Sequence, residues 1–577
     1  MTTLIETIRN AVIGDNQLIA TPFGNKPLVY ADYTASGRSL SFIEDYIRQQ
    51  VLPFYANTHT ETSYTGALTS LLREQARREI HNAVNGRSQD KVIFCGSGAT
   101  AAIHKLIDML NLRLPADLDA RYALQQQIPA DELPVVFIGP YEHHSNELPW
   151  RESIAELVVI PLCPDGLLDL PMLEAKLQHY SNRALKIGSF SAASNVTGLK
   201  TDVDAVAALL HSHDALSFWD YAAAAPYVGI DVAGNGTDEN TDNDNNTSKD
   251  ALFISPHKFI GGPGTPGILV VNEKILSNRV PAVPGGGTVV YVTPEDHRYT
   301  DDTERREEGG TPAIVESIRA GLVFKLQQAV GTELIEQREE AYVRQAIERW
   351  SKYDNIEVLG NTQADRLSIV SLRILHEGKD LHYGFVVALL NDLFGIQSRG
   401  GCSCAGPYGH SLLGMDIEYS KALEQCIASG EMIMRPGWVR LNFNYFIDQA
   451  TFDYLVRAIE LVAEHGIKLL PFYHFDQASG VWRYQDRKMQ LSANIETLDF
   501  NQIALAGSVE ATTQVQTGTE STEQRLADQL AIAEQEFSRT DRQGEQYSLS
   551  LSGRAQTLRW FVLPQPQGVA TDSTVSM

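Results

Sequence analysis

Lys258 stands in SPHKFIGGPGTPG (255–267), behind the short apolar run ALFI and among glycines and prolines. A solvated surface lysine needs no such framing. A lysine confined to a cramped turn is desolvated, which lowers its pKa and frees the amine to attack a carbonyl. Pyridoxal phosphate (PLP) chemistry anchors its aldehyde on a lysine of that kind. It also needs a phosphate cradle, a carboxylate against the pyridine nitrogen and a flat group over the ring. The sequence offers a candidate for each.

The cradle candidate is GSGAT (96–100), between an apolar strand and a helix. Small residues let the backbone close on a phosphate, and a helix N-terminus supplies free N–H groups. A plain glycine turn is the competing reading. Ser255 and His257 flank the lysine and add donors. The carboxylate candidate is Asp220, at the end of ALSFW and ahead of YAAAAP. An acid at the carboxyl end of a parallel strand faces the usual ligand crevice, although a helix-capping aspartate fits the same local sequence. The flat group is sought in GPYEHHSNELPW (139–150), where His143 and His144 are adjacent. Glu142 and Glu147 nearby lack helical metal-ligand spacing, so an imidazole over a ring is favoured over a metal site.

These positions need a scaffold. KVIFC (91–95), PVVFIG (134–139), LVVIP (157–161), LKIGSF (185–190), ALSFW (215–219), ALFIS (251–255) and GILVV (267–271) read as strands buried on both faces. Helical stretches such as DVDAVAALLHSH (202–213) lie between several of them. The alternation predicts a mostly parallel sheet with helices on both sides. After Pro312, Ile314, Ile318, Leu322 and Leu326 form one helical stripe, and a mixed strand–helix section follows, which predicts a second, smaller α+β domain. The acidic, Asn-rich stretch 233–250 has almost nothing to bury and reads as a disordered surface insertion. Beyond about residue 500 the chain is polar, with TEQRLADQLAIAEQEF as a solitary helix, whereas PFYHFDQASGVWRY (471–484) has the aromatics to pack on the main body.

The chain has 577 residues and a net charge of −25, which argues against nucleic acid or an anionic membrane as the main partner. No long apolar run suggests a membrane span, and the N-terminal stretch lacks the pattern of a secretory signal. Five cysteines, Cys95, Cys163, Cys402, Cys404 and Cys426, fit a reducing cytoplasm better than a disulfide framework.

Taken in order, YADYTASG, GSGATAAIHKLI, EHHSNELPW, SFSAASNVTG, WDYAAAAP, SPHKFIGGPGTPG, GGGTVVY, EEGGTP and RGGCSCAGP resemble the class V aminotransferase family, closest in pattern to its cysteine desulfurase and selenocysteine lyase group. The resemblance runs over roughly residues 28 to 465. It implies an α/β, PLP-dependent transferase fold of type I. That fold has a mostly parallel seven-stranded sheet with helices on both sides, plus a smaller α+β domain. Residues 61–330 would form the large domain and 331–470 the small one, with 1–60 joining the small domain and 471–577 a partly disordered extension. Lys258 would carry the cofactor, Asp220 would pair with the pyridine nitrogen and His143 would stack on the ring. Thr100, Ser255 and His257 would hold the phosphate, with Ala99 beside them in the cofactor set. Asn195 would sit near the cofactor and the substrate carboxylate, and Arg440 would grip that carboxylate. Thr311 would reach the phosphate of a neighbouring subunit, which implies a homodimer. The family's glutamine three residues after the aspartate is Ala223 here, and its two histidines before the cysteine are Cys402 and Ser403.

SRGGCSCAGP (398–407) fits the group's R-x-G-x-x-C-A-x-P frame, which makes Cys404 the matching thiol. Arg399 would lower its pKa and serve the substrate site. The implied reaction takes sulfur or selenium from an amino acid, gives alanine and leaves a persulfide for an acceptor thiol. A zinc half-site, an inert loop pair and a redox switch are the competing readings of C-x-C. Transamination or another lyase or epimerase reaction without a catalytic cysteine is the alternative activity, and a catalytically silent binding protein the non-enzyme alternative.

Overall fold

The computed structural model describes residues 3–565 apart from 59, 236–245, 490, 492, 494, 498, 502–520, 541 and 543. The apolar runs become a seven-stranded sheet: β1 (Asp90–Cys95), β2 (Val135–Ile138), β3 (Glu156–Val159), β4 (Lys186–Ser191), β5 (Leu216–Asp220), β6 (Ala251–Ile254) and β7 (Gly267–Asn272). Their spatial order is β1-β7-β6-β5-β4-β2-β3. Pairs among β2 to β6 are parallel, whereas β7 runs antiparallel to both β1 and β6. The reversal has a local cause. A parallel return to the sheet is usually made through a crossover helix, whereas residues 255–266 between β6 and β7 hold only the short 3-10 turn of Lys258.

Alternate strand residues enter two separate cores. Val135 and Phe137 join one, Val136 and Ile138 the other. Of the helices flanking the sheet, α1 spans Tyr64–Ala83 and α2 spans Gly98–Met109, which fills the second core with Ala102, Ile103, Leu106 and Ile107. Helix α3 (Val203–Ser212) contributes Val206 and Leu210 to the first core. Helix α4 (Ile314–Val330) carries the predicted stripe and packs on α1.

A second sheet contains β8 (Ile356–Val358), β9 (Ile369–His376), β10 (Arg399–Gly401) and β11 (Trp438–Asn442), in the order β8-β9-β11-β10. It is backed by α5 (Tyr383–Phe394) and α6 (Gln449–His465). Val29 and Tyr30 pair in parallel with Ile396 and Gln397, so the N-terminal segment lies against this half of the chain.

The remaining sequence departs from expectation in two places. Helix α7 (Thr522–Ser538) is not solitary: it lies on α6 and buries Leu526, Ala533 and Phe537. Its Gln529 accepts a hydrogen bond, 3.0 Å long, from the buried Lys26 ammonium. The 233–250 stretch is ordered at its base, although 236–245 lie outside the described residues. Asn235 Oδ1 accepts from Thr247 N at 2.9 Å, buried Lys249 pairs with Asp204, and Asp250 accepts from Ser217 N. Polar residues order this base because Lys249 and Asp250 find partners on α3 and β5, while Asn235 and Thr247 bond to each other. The 471–484 aromatics pack as expected, Phe475 and Trp482 closing on His382 of the second half. Among the described residues no helix is long and apolar enough to cross a membrane.

Candidate active site

Strand ends of the large sheet, the Lys258 turn and the Arg399–Cys404 segment meet at one cavity of about 270 Å³. The cramped turn follows from close approach. Gly267 opens β7 where an added Cβ would sit 2.0 Å from the Gly98 carbonyl oxygen. Gly98 itself has φ +58°, and its added Cβ would lie 2.9 Å from both Ser255 Oγ and His257 Cε1. The lysine turn and the first turn of α2 therefore share a space that no larger residue fits.

Lys258 closes a short 3-10 turn after β6 and lines the cavity half-buried. Burial pushes its amine down to about 8, against the opposing pull of Asp220. Asp220 ends β5 deep in the protein, where its Oδ1 accepts from Ala222 N at 2.8 Å. Burial raises its pKa, while that hydrogen bond and the Lys258 charge lower it. His143 borders the same space. Burial and then Lys258 lower its pKa to about 3, so the ring is neutral. Its Nδ1 accepts from Ser145 N at 3.1 Å, which fixes the ring plane.

The EHHSN run divides its labour. Glu142 faces inward, accepting from Gly139 N, Ser191 N, Ser191 Oγ and Asn146 Nδ2, and so ties the ends of β2 and β4 together. Burial raises its carboxyl to about 7. His143 and Ser145 face the cavity. Ser145 Oγ and Thr100 Oγ1 share a hydrogen bond of 2.6 Å, and Ala99 N donates to Ser255 Oγ at 2.9 Å. With His257, held neutral by a burial-lowered pKa of about 4, these groups line the end of the cavity at the N-terminus of α2.

At the other end, Arg399 and Arg440 lie directly opposite each other across β10 and β11. Two like charges in register repel. Asp32 lies between them: its Oδ2 accepts from Arg399 Nε at 2.9 Å and its Oδ1 from Arg440 Nη2 at 3.1 Å. Arg440 also donates from Nη1 to the Asn195 carbonyl at 3.0 Å.

Cys404 lines this cavity and is exposed. It sits in an unusual turn. Ser403 (φ 54°) and Cys404 (φ 57°) are both left-handed, and Ala405 N donates to Cys402 O at 3.2 Å. That is a type I′ turn without the glycine or asparagine such turns favour, at roughly 1–2 kcal/mol per left-handed residue. Three further bonds hold it. Asn195 Nδ2 donates to Ser403 O at 2.8 Å, His144 N donates to Cys404 O at 2.8 Å, and Gly406 N donates to His144 Nε2 at 3.0 Å.

The structure thus brings together Ala99, Thr100, His143, Asn195, Asp220, Ser255, His257, Lys258, Arg399, Cys404 and Arg440. Thr311 is not among them; it is exposed and accepts from Asn57 Nδ2 at 3.3 Å. Ala223 lines the cavity and offers no side-chain donor. Asp32, His144 and the Glu142–Asn146 staple are the residues that motif reading assigns no role. Their only signals are the YADYTASG run and the doubled histidine.

This donor set fits PLP. A lysine of lowered pKa, a buried acid and a flat neutral imidazole surround one space, and small and hydroxylated residues close its anionic end. Buried Asn195 Oδ1, Thr34 Oγ1, Ser403 Oγ and Arg440 Nε have no partner among the described residues, and all four residues border the cavity.

Comparison with known proteins agrees. The aminotransferase class V family model matches residues 29–416. A probable cysteine desulfurase of Halalkalibacterium halodurans is 28% identical over 389 residues, covering 66% of this chain and 85% of that protein. One from Staphylococcus epidermidis is 27% identical over 405 residues, covering 69% and 88%. Among solved structures, a cysteine desulfurase from Thermococcus onnurineus in its apo form superposes with a TM-score of 0.59 at 21% identity, over 76% of this chain and 95% of that one. The cysteine desulfurase CsdA of Escherichia coli, in an S-sulfonic acid form, gives 0.58 at 20% identity, over 75% and 94%.

Proposed function

The chain belongs to the class V aminotransferase family, is a PLP-dependent enzyme, and from that premise we propose that it cleaves the Cβ–S or Cβ–Se bond of cysteine or selenocysteine, giving alanine and a persulfide or its selenium equivalent on Cys404. The observation that carries this reading is the position of Cys404, which shares one cavity with Lys258 and Arg440. A transaminase has no use for a thiol there. The names of the relatives support the same choice.

When bound, PLP withdraws electrons from the substrate's α-carbon and so makes the Cα–H acidic and the Cβ–S bond labile. Lys258 would hold its aldehyde, and its amine, with a pKa lowered to about 8, would move the α-proton. Asp220 would keep the pyridine nitrogen protonated. His143 would cover the ring, and Thr100, Ser255 and His257 would receive the phosphate with the α2 N-terminus. Arg440 takes the substrate α-carboxylate on its free guanidinium edge, with Asn195 beside it. Cys404, in its thiolate form, attacks the substrate sulfur. The S–S bond forms as the Cβ–S bond breaks; the electron pair stays on carbon, which is protonated and leaves as alanine. A second thiol then takes the sulfur. In a homodimer, Thr311 would face the partner's cavity rather than its own.

The test is purified holoprotein with L-cysteine and a reductant. Alanine and sulfide form in equal amounts, and Cys404→Ala abolishes both. Undiminished turnover in Cys404→Ala, with an amino donor converting the cofactor to its pyridoxamine form, would replace this reading with transamination.

A further inference from the structure

We infer that His144 is a positioning residue for Cys404: its ring and backbone together hold the strained left-handed turn that aims the thiol at the cavity. This rests on the reading of Cys404 as the sulfur-accepting thiol.

The turn does not hold itself. Each left-handed non-glycine residue is disfavoured by roughly tenfold, and two stand in sequence, Ser403 and Cys404. Type I′ turns draw on glycine, asparagine and aspartate at these positions, and Ser403 and Cys404 are none of these. External bonds must make up the difference. His144 supplies two of them: its N–H donates to Cys404 O, and its Nε2 accepts from Gly406 N. The second bond makes Nε2 the acceptor and so orients the ring. Gly406 follows closely enough that a Cβ there would meet His144 Nε2 at 3.2 Å. His144 is in turn fixed by its chain neighbours. His143 is locked through Ser145, and Glu142 is tied to β4. One rigid segment therefore presents one histidine to the cavity and the other to the cysteine loop. Asn195 adds a third clip at Ser403 O.

The geometry makes the loop a two-state element. Clipped, the thiol lies at the cavity edge. Unclipped, Ser403 and Cys404 relax to right-handed backbone and the thiol leaves. The adjacent histidines thus have unlike tasks, and the doubled motif needs no metal to explain it.

The experiment measures amide hydrogen exchange in the holoprotein at Ala405 and Gly406, together with single-turnover alanine formation from L-cysteine. His144→Leu keeps bulk and removes the ring acceptor. It should speed exchange at both amides by about tenfold, the worth of one such hydrogen bond, and slow alanine formation while leaving the KM for L-cysteine within about twofold, since Arg440 is untouched. His144→Gln, whose carbonyl can accept from Gly406 N, should recover much of both. Ser403→Gly placed in the His144→Leu background should restore protection at Ala405, whose N–H closes the turn on Cys402 O, because glycine adopts the left-handed turn unaided. A merely structural histidine would show no rescue at position 403. Unchanged exchange in His144→Leu, or a double variant no better protected than the single one, overturns the inference. Should His144→Leu fail to fold, Ser403→Gly alone decides: slower exchange than wild type supports the strained turn, and faster exchange refutes it. If wild type forms no persulfide at all, the sulfur reading fails while the exchange result still judges the clip.

Discussion

Replacing Asp220 by asparagine tests the electrostatics at the centre of the site. Lys258 titrates at about 8 because burial outweighs the attraction of Asp220. At pH 7 such an amine is neutral in roughly one molecule in ten, against about one in three thousand for an ordinary lysine. Asparagine keeps an Oδ1 to accept from Ala222 N, so the turn after β5 survives. What disappears is the negative charge that stabilises the ammonium. The Lys258 pKa must therefore fall. A drop of one pH unit, worth about 1.4 kcal/mol, would take the neutral fraction at pH 7 from about a tenth to about a half. The assay is reaction of the apoprotein with phosphate-free pyridoxal, followed by absorbance across pH, with Lys258→Ala subtracting other lysines. The wild-type rate should rise with pH and level off above about 8. In Asp220→Asn the curve should move to lower pH, with a faster reaction at pH 7. A wild-type inflection near the ordinary lysine value, or a variant curve displaced upward, would refute the reasoning.

Three further outcomes follow from other contacts. Arg440→Lys should raise the KM for L-cysteine by about 10- to 100-fold, because an ammonium cannot keep Asp32, the Asn195 carbonyl and a bidentate carboxylate at once; steady-state kinetics reads it. Gly267→Ala forces a methyl group toward the Gly98 carbonyl and should cost about 1–3 kcal/mol in urea unfolding, with weaker PLP retention on dialysis. Phe537→Ala removes the buried aromatic near the end of α7 and should cost about 3–5 kcal/mol of local docking, seen as faster proteolysis within 522–538 and faster exchange there.

Where chemistry depends on a residue's place at a strand end, the sequence is readable. Lys258 and Asp220 each follow an apolar run that becomes a strand, and the carboxyl ends of parallel strands open on one crevice. The reversal of β7 fits the same reading, since a parallel return is usually made through an α-helix and residues 255–266 hold none. Helix α7 shows a signal that composition hides: Leu526, Leu530, Ala533 and Phe537 fall on one helical face, yet the polar residues around them suggest isolation. The base of the 233–250 insertion misleads for the opposite reason, because its polar residues are ordered by partners rather than by burial of apolar surface.

Asp32 and His144 mark the limit of motif reading. Each acts on partners hundreds of positions away, Asp32 on Arg399 and Arg440, His144 on Gly406. No local periodicity encodes such a pairing. What the sequence does carry is the problem each of them solves. Two arginines that become direct cross-strand neighbours need an anion, and a Ser-Cys pair that must turn left-handed needs clips. Both needs appear only once register and dihedral angles are known. The reactive groups of this site are thus written in short motifs, whereas the groups that aim them are set by the meeting of the two sheets, with β4 and β5 holding Asp220 and the β10–β11 pair carrying the arginines toward it. A substitution that shifted one sheet against the other would leave every motif intact and still separate the thiol from the lysine.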